Sequence, residues 1–146
     1  GHAAGALEAT TEAVGILRKS LPAGHPEMPR TLLAHASALR QNGRLDDAAA
    51  VAREALEIHQ KARGPESVEA TMAQSALARV YLAAGRLTEA EALLRQAIAT
   101  RRKVLGGTHR LIGRALDELA EVRDKQGDGA EATTLRAEAK AMRPGK

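Results

Sequence analysis

His2, His25, His35, His59 and His109 are the side chains from which this chain could build a zinc site, because it contains no cysteine. No two of them stand four apart, the spacing that would set two imidazoles on one helical face to share an ion. Gly1 and His2 have the look of cloning remnants, and His35 stands where the other repeats described below carry Leu77 and Leu119, a core position. The sequence has no Gly-x-x-x-x-Gly-Lys-Ser/Thr phosphate loop, no Gly-x-Gly-x-x-Gly and no Gly-x-Ser-x-Gly elbow. With no nucleophile–base pairing in view either, the expectation is a chain that is not an enzyme, with no catalytic residue, no metal and no cofactor.

What remains is cationic. Lys and Arg number 22 against 18 Asp and Glu, a formal net charge of +4 with a pI near 9.8, so a polyanionic partner has to be weighed. The densest clusters are Arg18-Lys19, Lys61-Ala62-Arg63 and Arg101-Arg102-Lys103. Aromatic residues are almost absent, Tyr81 being the only one, which leaves nothing for nucleobases to stack on. The meaning of the clusters depends on the elements that carry them.

Those elements follow from a repeat. Gly43, Gly85 and Gly127 are separated by 42 residues each time. In phase with them run Ala36, Ala78 and Ala120 before the glycine, and Ala48, Ala90 and Ala132 after it. Val51, Leu93 and Leu135, then Ala55, Ala97 and Ala139, keep the same register. Ala6, Ala13 and Val14 extend the pattern backwards, so the chain enters the repeat at its second helix. On both sides of each glycine the apolar residues recur at helical spacing, for example Leu77, Ala78, Tyr81 and Leu82, then Ala90, Leu93, Leu94 and Ala97. A glycine at the end of a first helix suits the positive φ of a C-terminal cap. Thr88 followed by Glu91 reads as a capping box opening a second helix, and Pro26 and Pro65 stand near first-helix starts. The pattern predicts seven helices, at 4–20, 27–42, 46–63, 66–84, 88–104, 109–126 and 130–142. With 44% hydrophobic residues but no Phe or Trp, the core must be Ala, Leu, Val, Ile and Met. The in-phase alanines let helix axes approach to about 8 Å. The fold class is therefore all-α, a solenoid of antiparallel helix pairs.

The basic clusters then fall at second-helix C-termini and the acids Asp46-Asp47, Glu89 and Glu131 at second-helix starts, the arrangement that offsets the helix dipole. Nucleic-acid binding is left as the weakest alternative.

The small residue seven before a glycine, followed by Gly-Arg-Leu-x-Glu-Ala as at Gly85 to Ala90, resembles the tetratricopeptide repeat. Its 42-residue length, His25-Pro26 before a first helix and the Lys-x-x-Gly motifs at Lys61 to Gly64 and Lys103 to Gly106 resemble the kinesin-light-chain type. His109 departs from the pattern, being followed by Arg110 instead of Pro. Bacterial proteins of this type carry such repeats beside signalling domains, which would make the chain an appended module. The resemblance implies a groove lined by first helices that binds a peptide or a partner's helix. The corresponding positions are Arg30, Leu33, Ser37, Arg40 and Gln41, then Met72, Ser75, Arg79, Leu82 and Ala83, then Arg114, Asp117, Glu121, Asp124 and Lys125. Where the family often carries groove-lining Asn, this chain has Leu33-Ala34, Ser75-Ala76 and Asp117-Glu118. Arg30, Arg40, Arg79 and Arg114 point to carboxylates on the partner.

The expected organisation is one domain over 1–146: a second helix of a partial repeat at 1–24, repeats at 25–66 and 67–108, and a repeat with a C-terminal capping helix at 109–146. In that helix Arg136 and Lys140 replace Leu94 and Ile98, giving a polar outer face. The first helix spreads Leu7, Val14, Ile16 and Leu17 around its circumference, so self-association through residues 4–20, as a structural module of a larger signalling protein, is the alternative function. No apolar run approaches the roughly 20 residues of a membrane span, and no signal-peptide pattern opens the chain. With the lack of cysteine, the expected location is the cytoplasm.

Overall fold

The computed structural model describes residues 1–143, so the last three residues of the expected 109–146 segment lie outside the described part. Seven helices follow one another: α1 (His2–Ser20), α2 (Met28–Gln41), α3 (Leu45–Arg63), α4 (Val68–Ala83), α5 (Leu87–Leu105), α6 (Arg110–Lys125) and α7 (Gly129–Ala141). No strand occurs among the described residues. The expected helix ends agree with these to within two residues.

Each first helix stops where the sequence requires. Gly43, Gly85 and Gly127 have φ of 76°, 76° and 87°, a region closed to most side chains. The chain then turns back in a Schellman arrangement: the Gly43 N–H donates to the Arg40 carbonyl at 3.0 Å and the Arg44 N–H to the Leu39 carbonyl at 2.9 Å. The same pair of bonds recurs around Gly85 and Gly127.

Helix starts differ from expectation. α5 begins at Leu87 with Arg86 in the capping position and no side-chain cap, so the Thr88–Glu91 capping box does not form. Starting one residue earlier puts Thr88 inside the first turn, and Arg86 instead pairs with Glu89. Pro26 and Pro65 precede their helices, and it is Pro29 that occupies the first turn of α2. One register position, 25/67/109, caps α4 and α6, whereas α2 opens at Glu27 without a side-chain cap. His109 Nδ1 accepts from the Leu111 N–H at 3.1 Å, Ser67 Oγ from the Ala70 N–H at 3.1 Å, and His25 Nδ1 from the Glu27 N–H at 3.2 Å.

Helices pack as the pairs α2–α3, α4–α5 and α6–α7, with α1 against α2. Ala36, Ala48, Ala78, Ala90, Ala120 and Ala132 are all buried within one continuous core, as expected for close crossings. Curvature follows from which helices meet across repeats. α2 lies against α4 and α4 against α6, whereas no two of the second helices α1, α3, α5 and α7 approach closely. The first helices therefore line the inner, concave face.

The N-terminal helix is better covered than its sequence suggests. Val14 is buried against Met28, Leu32 and Ala55, and Leu7 and Leu17 pack at the edge of the core, leaving Ile16 exposed. Pairing with α2 turns those apolar residues inward. At the other end, Arg136 and Lys140 are exposed while their α5 counterparts Leu94 and Ile98 are buried.

Candidate partner-binding groove

The concave face holds a cleft of about 250 Å³ whose walls come from α2, α4 and α6. Three register positions build it from equivalent residues. Leu33 and Ser75 stand at the first, Ala34, Ala76 and Glu118 at the second, Ser37 and Arg79 at the third. Arg40, Met72, Leu111 and Arg114 complete the rim.

Seven of the residues expected in the groove therefore meet there: Leu33, Ser37, Arg40, Met72, Ser75, Arg79 and Arg114. Three do not. Arg30 is exposed on α2 outside the cleft, Leu82 packs against the core, and Asp117 accepts a hydrogen bond from Arg143 Nη2 at 3.2 Å. Leu82 is only partly buried, its side chain turned toward the core. The positions differ in freedom too. Arg40 and Arg114 make no ion pair among the described residues. Arg79 does: its Nη1 donates to Glu118 Oε2 at 2.9 Å, across the α4–α6 step. Arg79 therefore lines the groove already paired. Met72 is an exposed apolar side chain at the rim.

One cleft residue, Arg101, is absent from the expected groove set. Arg101, grouped with Arg102 and Lys103 as a dipole-offsetting cluster, lies one step before the last turn of α5 and is almost wholly buried, at 1% exposure. Its guanidinium runs between α4 and α6 to the floor of the cleft. There Nε donates to Thr71 Oγ1 at 2.8 Å, Nη1 to the Leu111 carbonyl at 2.7 Å, and Nη2 to Ser75 Oγ and the Thr71 carbonyl, both at 3.2 Å. All four acceptors are neutral, and no carboxylate lies within ion-pair distance among the described residues. Burial pushes the Arg101 pKa down from its ordinary value, while the charge of Glu118 acts the other way. Arginine stays protonated at neutral pH regardless. Ser75 is consequently not a free groove hydroxyl but an acceptor for Arg101. The sequence did carry a signal: register position 17/59/101 holds Leu17, His59 and Arg101, so a cation stands where another copy is apolar.

Of the remaining basic clusters, Arg18, Arg102 and Lys103 are paired along the outer face, while Lys19, Lys61 and Arg63 make no ion pair among the described residues. Arg18 binds Glu54 at 2.8 Å through two hydrogen bonds, Lys103 binds Glu66 at 2.6 Å, and Arg102 binds Glu138. Arg95 similarly bridges Glu91 and Glu131, both at 2.8 Å. The cations of these pairs sit on second helices, and those near the helix ends also gain from the dipole. A wider cleft of about 670 Å³ lies by the α1–α2 turn, but its charged rim is the Arg18–Glu54 pair together with Glu57 and Lys61.

Comparison with known proteins decides the family. The tetratricopeptide repeat profile matches twice, over residues 27–103 and 69–144. The chain belongs to the tetratricopeptide repeat family. Among solved structures it is similar to a Podosopora anserina protein described as a putative kinesin light chain with nearly identical TPR-like repeats. Identity is 28% over 96% of this chain, with a TM-score of 0.77, and 0.80 for a singly substituted form of that protein. It is also similar in fold to BtubC (BKLC) from P. vanneervenii, at 19% identity over the whole chain and a TM-score of 0.84. This tetratricopeptide chain spans 66% and 61% of those two proteins' lengths. No curated protein sequence matches it. The repeats are thus similar to those of a putative kinesin light chain, and stacked tetratricopeptide helices form protein-interaction surfaces. Among the described residues no helix is long and apolar enough to cross a membrane.

Proposed function

We propose that the concave face binds an extended peptide or a partner's helix bearing carboxylates, between α2 and α6. One observation carries the reading: the cleft is walled by Arg40, Arg79, Arg101 and Arg114 and contains a single carboxylate, Glu118. A cleft with such an excess of guanidinium groups attracts anions, and their planar donors match carboxylates in two-point geometry. Leu33, Leu111 and Met72 supply apolar wall beside the charges, which suits a peptide better than a bare inorganic ion.

Arg114 is the residue to test. It is exposed and unpaired among the described residues, so Arg114→Glu should leave melting nearly unchanged, exposed charges contributing about 0–1 kcal/mol. Arg79→Glu would be a poorer probe, because it would set a second carboxylate beside half-buried Glu118. Binding of a fluorescein-labelled, N-acetylated poly-glutamate peptide should weaken about tenfold or more in Arg114→Glu, by loss and reversal of a charge-assisted contact. Unchanged affinity would remove the partner from this face. The same titration with single-stranded DNA of equal charge tests the nucleic-acid alternative, which requires DNA to bind more tightly than the peptide.

A further inference from the structure

We propose that Glu118 is a resident counter-ion of this groove: it holds the seat at Arg79 that a partner's carboxylate takes, so partner binding is an exchange of carboxylates. The inference rests on the groove reading above and adds to it an internal competitor.

The repeat itself shows that the carboxylate is not there for stacking. Register position 34/76/118 is Ala34, Ala76 and Glu118, and all three line the same cleft. Helices α2 and α4 pack with alanine at this position, so packing does not call for a longer side chain on α6. The partner position behaves likewise. Arg79 corresponds to Ser37, so the α2–α4 step has Ser37 and Ala76 where the α4–α6 step has the Arg79–Glu118 pair. The cleft is open at one step and bridged at the next.

The geometry of the pair is that of an incomplete contact. Glu118 Oε2 accepts from Arg79 Nη1 at 2.9 Å, while Oε1 is buried and accepts no hydrogen bond. With its side chain 14% exposed, Glu118 has given up water at an oxygen that receives no donor in return. A buried carboxylate oxygen without a donor is unfavourable, which lowers the cost of moving it. Glu118 also has somewhere to go. Arg114 lies one turn before it on α6, exposed and unpaired, and residues four apart on a helix can reach each other. Rotating outward to Arg114 would free Arg79 and leave the buried charge of Arg101 facing the vacated space. An incoming carboxylate would then find Arg79 free, with the charge of Arg101 behind it.

The test titrates the labelled poly-glutamate peptide against wild type, E118Q, E118A and R79Q, and against R79Q carrying E118Q. E118A restores the residue of the other two repeats, so it guards against a folding defect peculiar to the amide. Removing the competitor should tighten peptide binding about tenfold, the effect of one charge-assisted hydrogen bond. That gain should shrink to about twofold or less in the R79Q background, because the seat has gone. Weaker or unchanged binding by both E118Q and E118A overturns the inference. So does an equal gain with and without Arg79, which would be the bulk effect of deleting a negative charge. If wild type binds in an Arg114-dependent way and the Glu118 variants gain nothing, the exchange fails and the groove stands. If no variant binds the peptide, both fail.

Discussion

Arg101 shows how much a single side chain can do when it passes from one layer to another. It starts on a second helix and ends among neutral acceptors from α4 and from the first turn of α6, tying three helices together. Arg101→Met should therefore cost about 2–4 kcal/mol, since Thr71 and Ser75 would lose their donor in a buried site. Arg102→Ala beside it, exposed and paired with Glu138, should cost less than about 1 kcal/mol. Equal unfolding midpoints in urea for the two would contradict the assignment. Charge clustering in the sequence made these neighbours look alike; only burial separates them, and burial depends on the crossing of α5 with α4 and α6. The same holds for Glu118, whose type was legible but whose pairing with a residue 39 positions earlier was not. His35 gives a residue-scale prediction with a sign. It shares a hydrogen bond with Thr10 at 3.0 Å, and desolvation, then the charges of Arg44 and Arg18, lower its pKa below the ordinary 6.5. The folded state thus prefers the neutral ring. Its contribution is complete above 6.5 and is lost as pH falls toward the lowered value. Melting should drop as pH falls from above 6.5 to below it, and His35→Leu, the residue of the other repeats, should reduce that drop. A pH dependence untouched by the substitution would assign it elsewhere, His59 being the other histidine with a lowered pKa.

At the scale of helices, stability is set by where side chains are absent. Gly113 on α6 lies against α7, and a Cβ there would meet Met142 Cβ at 2.9 Å and the Ala139 carbonyl oxygen at 3.0 Å. Because one of those atoms is backbone, Gly113→Ala should cost about 1–3 kcal/mol by overpacking despite alanine's better helix propensity. Gly15, in the C-terminal half of α1, has nothing within 4 Å of an added Cβ. Gly15→Ala should therefore stabilise by about 0.5–1 kcal/mol. Opposite signs in thermal unfolding would confirm that α6 and α7 are in the closer contact; two gains would refute it. The alanine crossings give a parallel contrast. Ala78 is buried at 1% exposure and Ala83 is exposed, so Ala78→Leu should cost about 1–3 kcal/mol and Ala83→Leu little. This level was the most legible in the sequence. The glycine period, the positive φ it demands and the in-phase alanines located seven helices to within two residues. Helix N-termini were less so. Arg86 and Arg44 occupy capping positions without a side-chain cap, and the cap that opens α6 uses His109, a residue type with no strong capping preference.

Across the whole molecule the design is one-dimensional, each helix pair covering the next. The outer face of α5, with Leu94 and Ile98, is covered by α6. On α7 the same register positions are Arg136 and Lys140; both are exposed, and Arg136 pairs with Asp124 at 2.5 Å on α6. A repeat array propagates wherever an apolar face is left open, because each repeat's stability includes the interface with its neighbour. Polar residues on that face offer no apolar surface for a further first helix to cover. Converting both to the α5 residues, Arg136→Leu with Lys140→Ile, should thus leave the fold intact while opening an apolar face that self-associates. Sedimentation velocity over a range of concentrations would read the effect directly: wild type keeps one sedimentation coefficient, whereas the double variant shifts to larger species as concentration rises. Far-UV circular dichroism of the variant should stay helical, which separates ordered association from unfolding. Self-association of the double variant at α7 should also be suppressed by Leu135→Lys less than by restoring Arg136, since Leu135 is buried against the core and its loss disturbs the pair rather than the exposed face. A double variant that remains a single species at all concentrations would show that charge at 136 and 140 is incidental, and that the shape of α7 alone limits the stack.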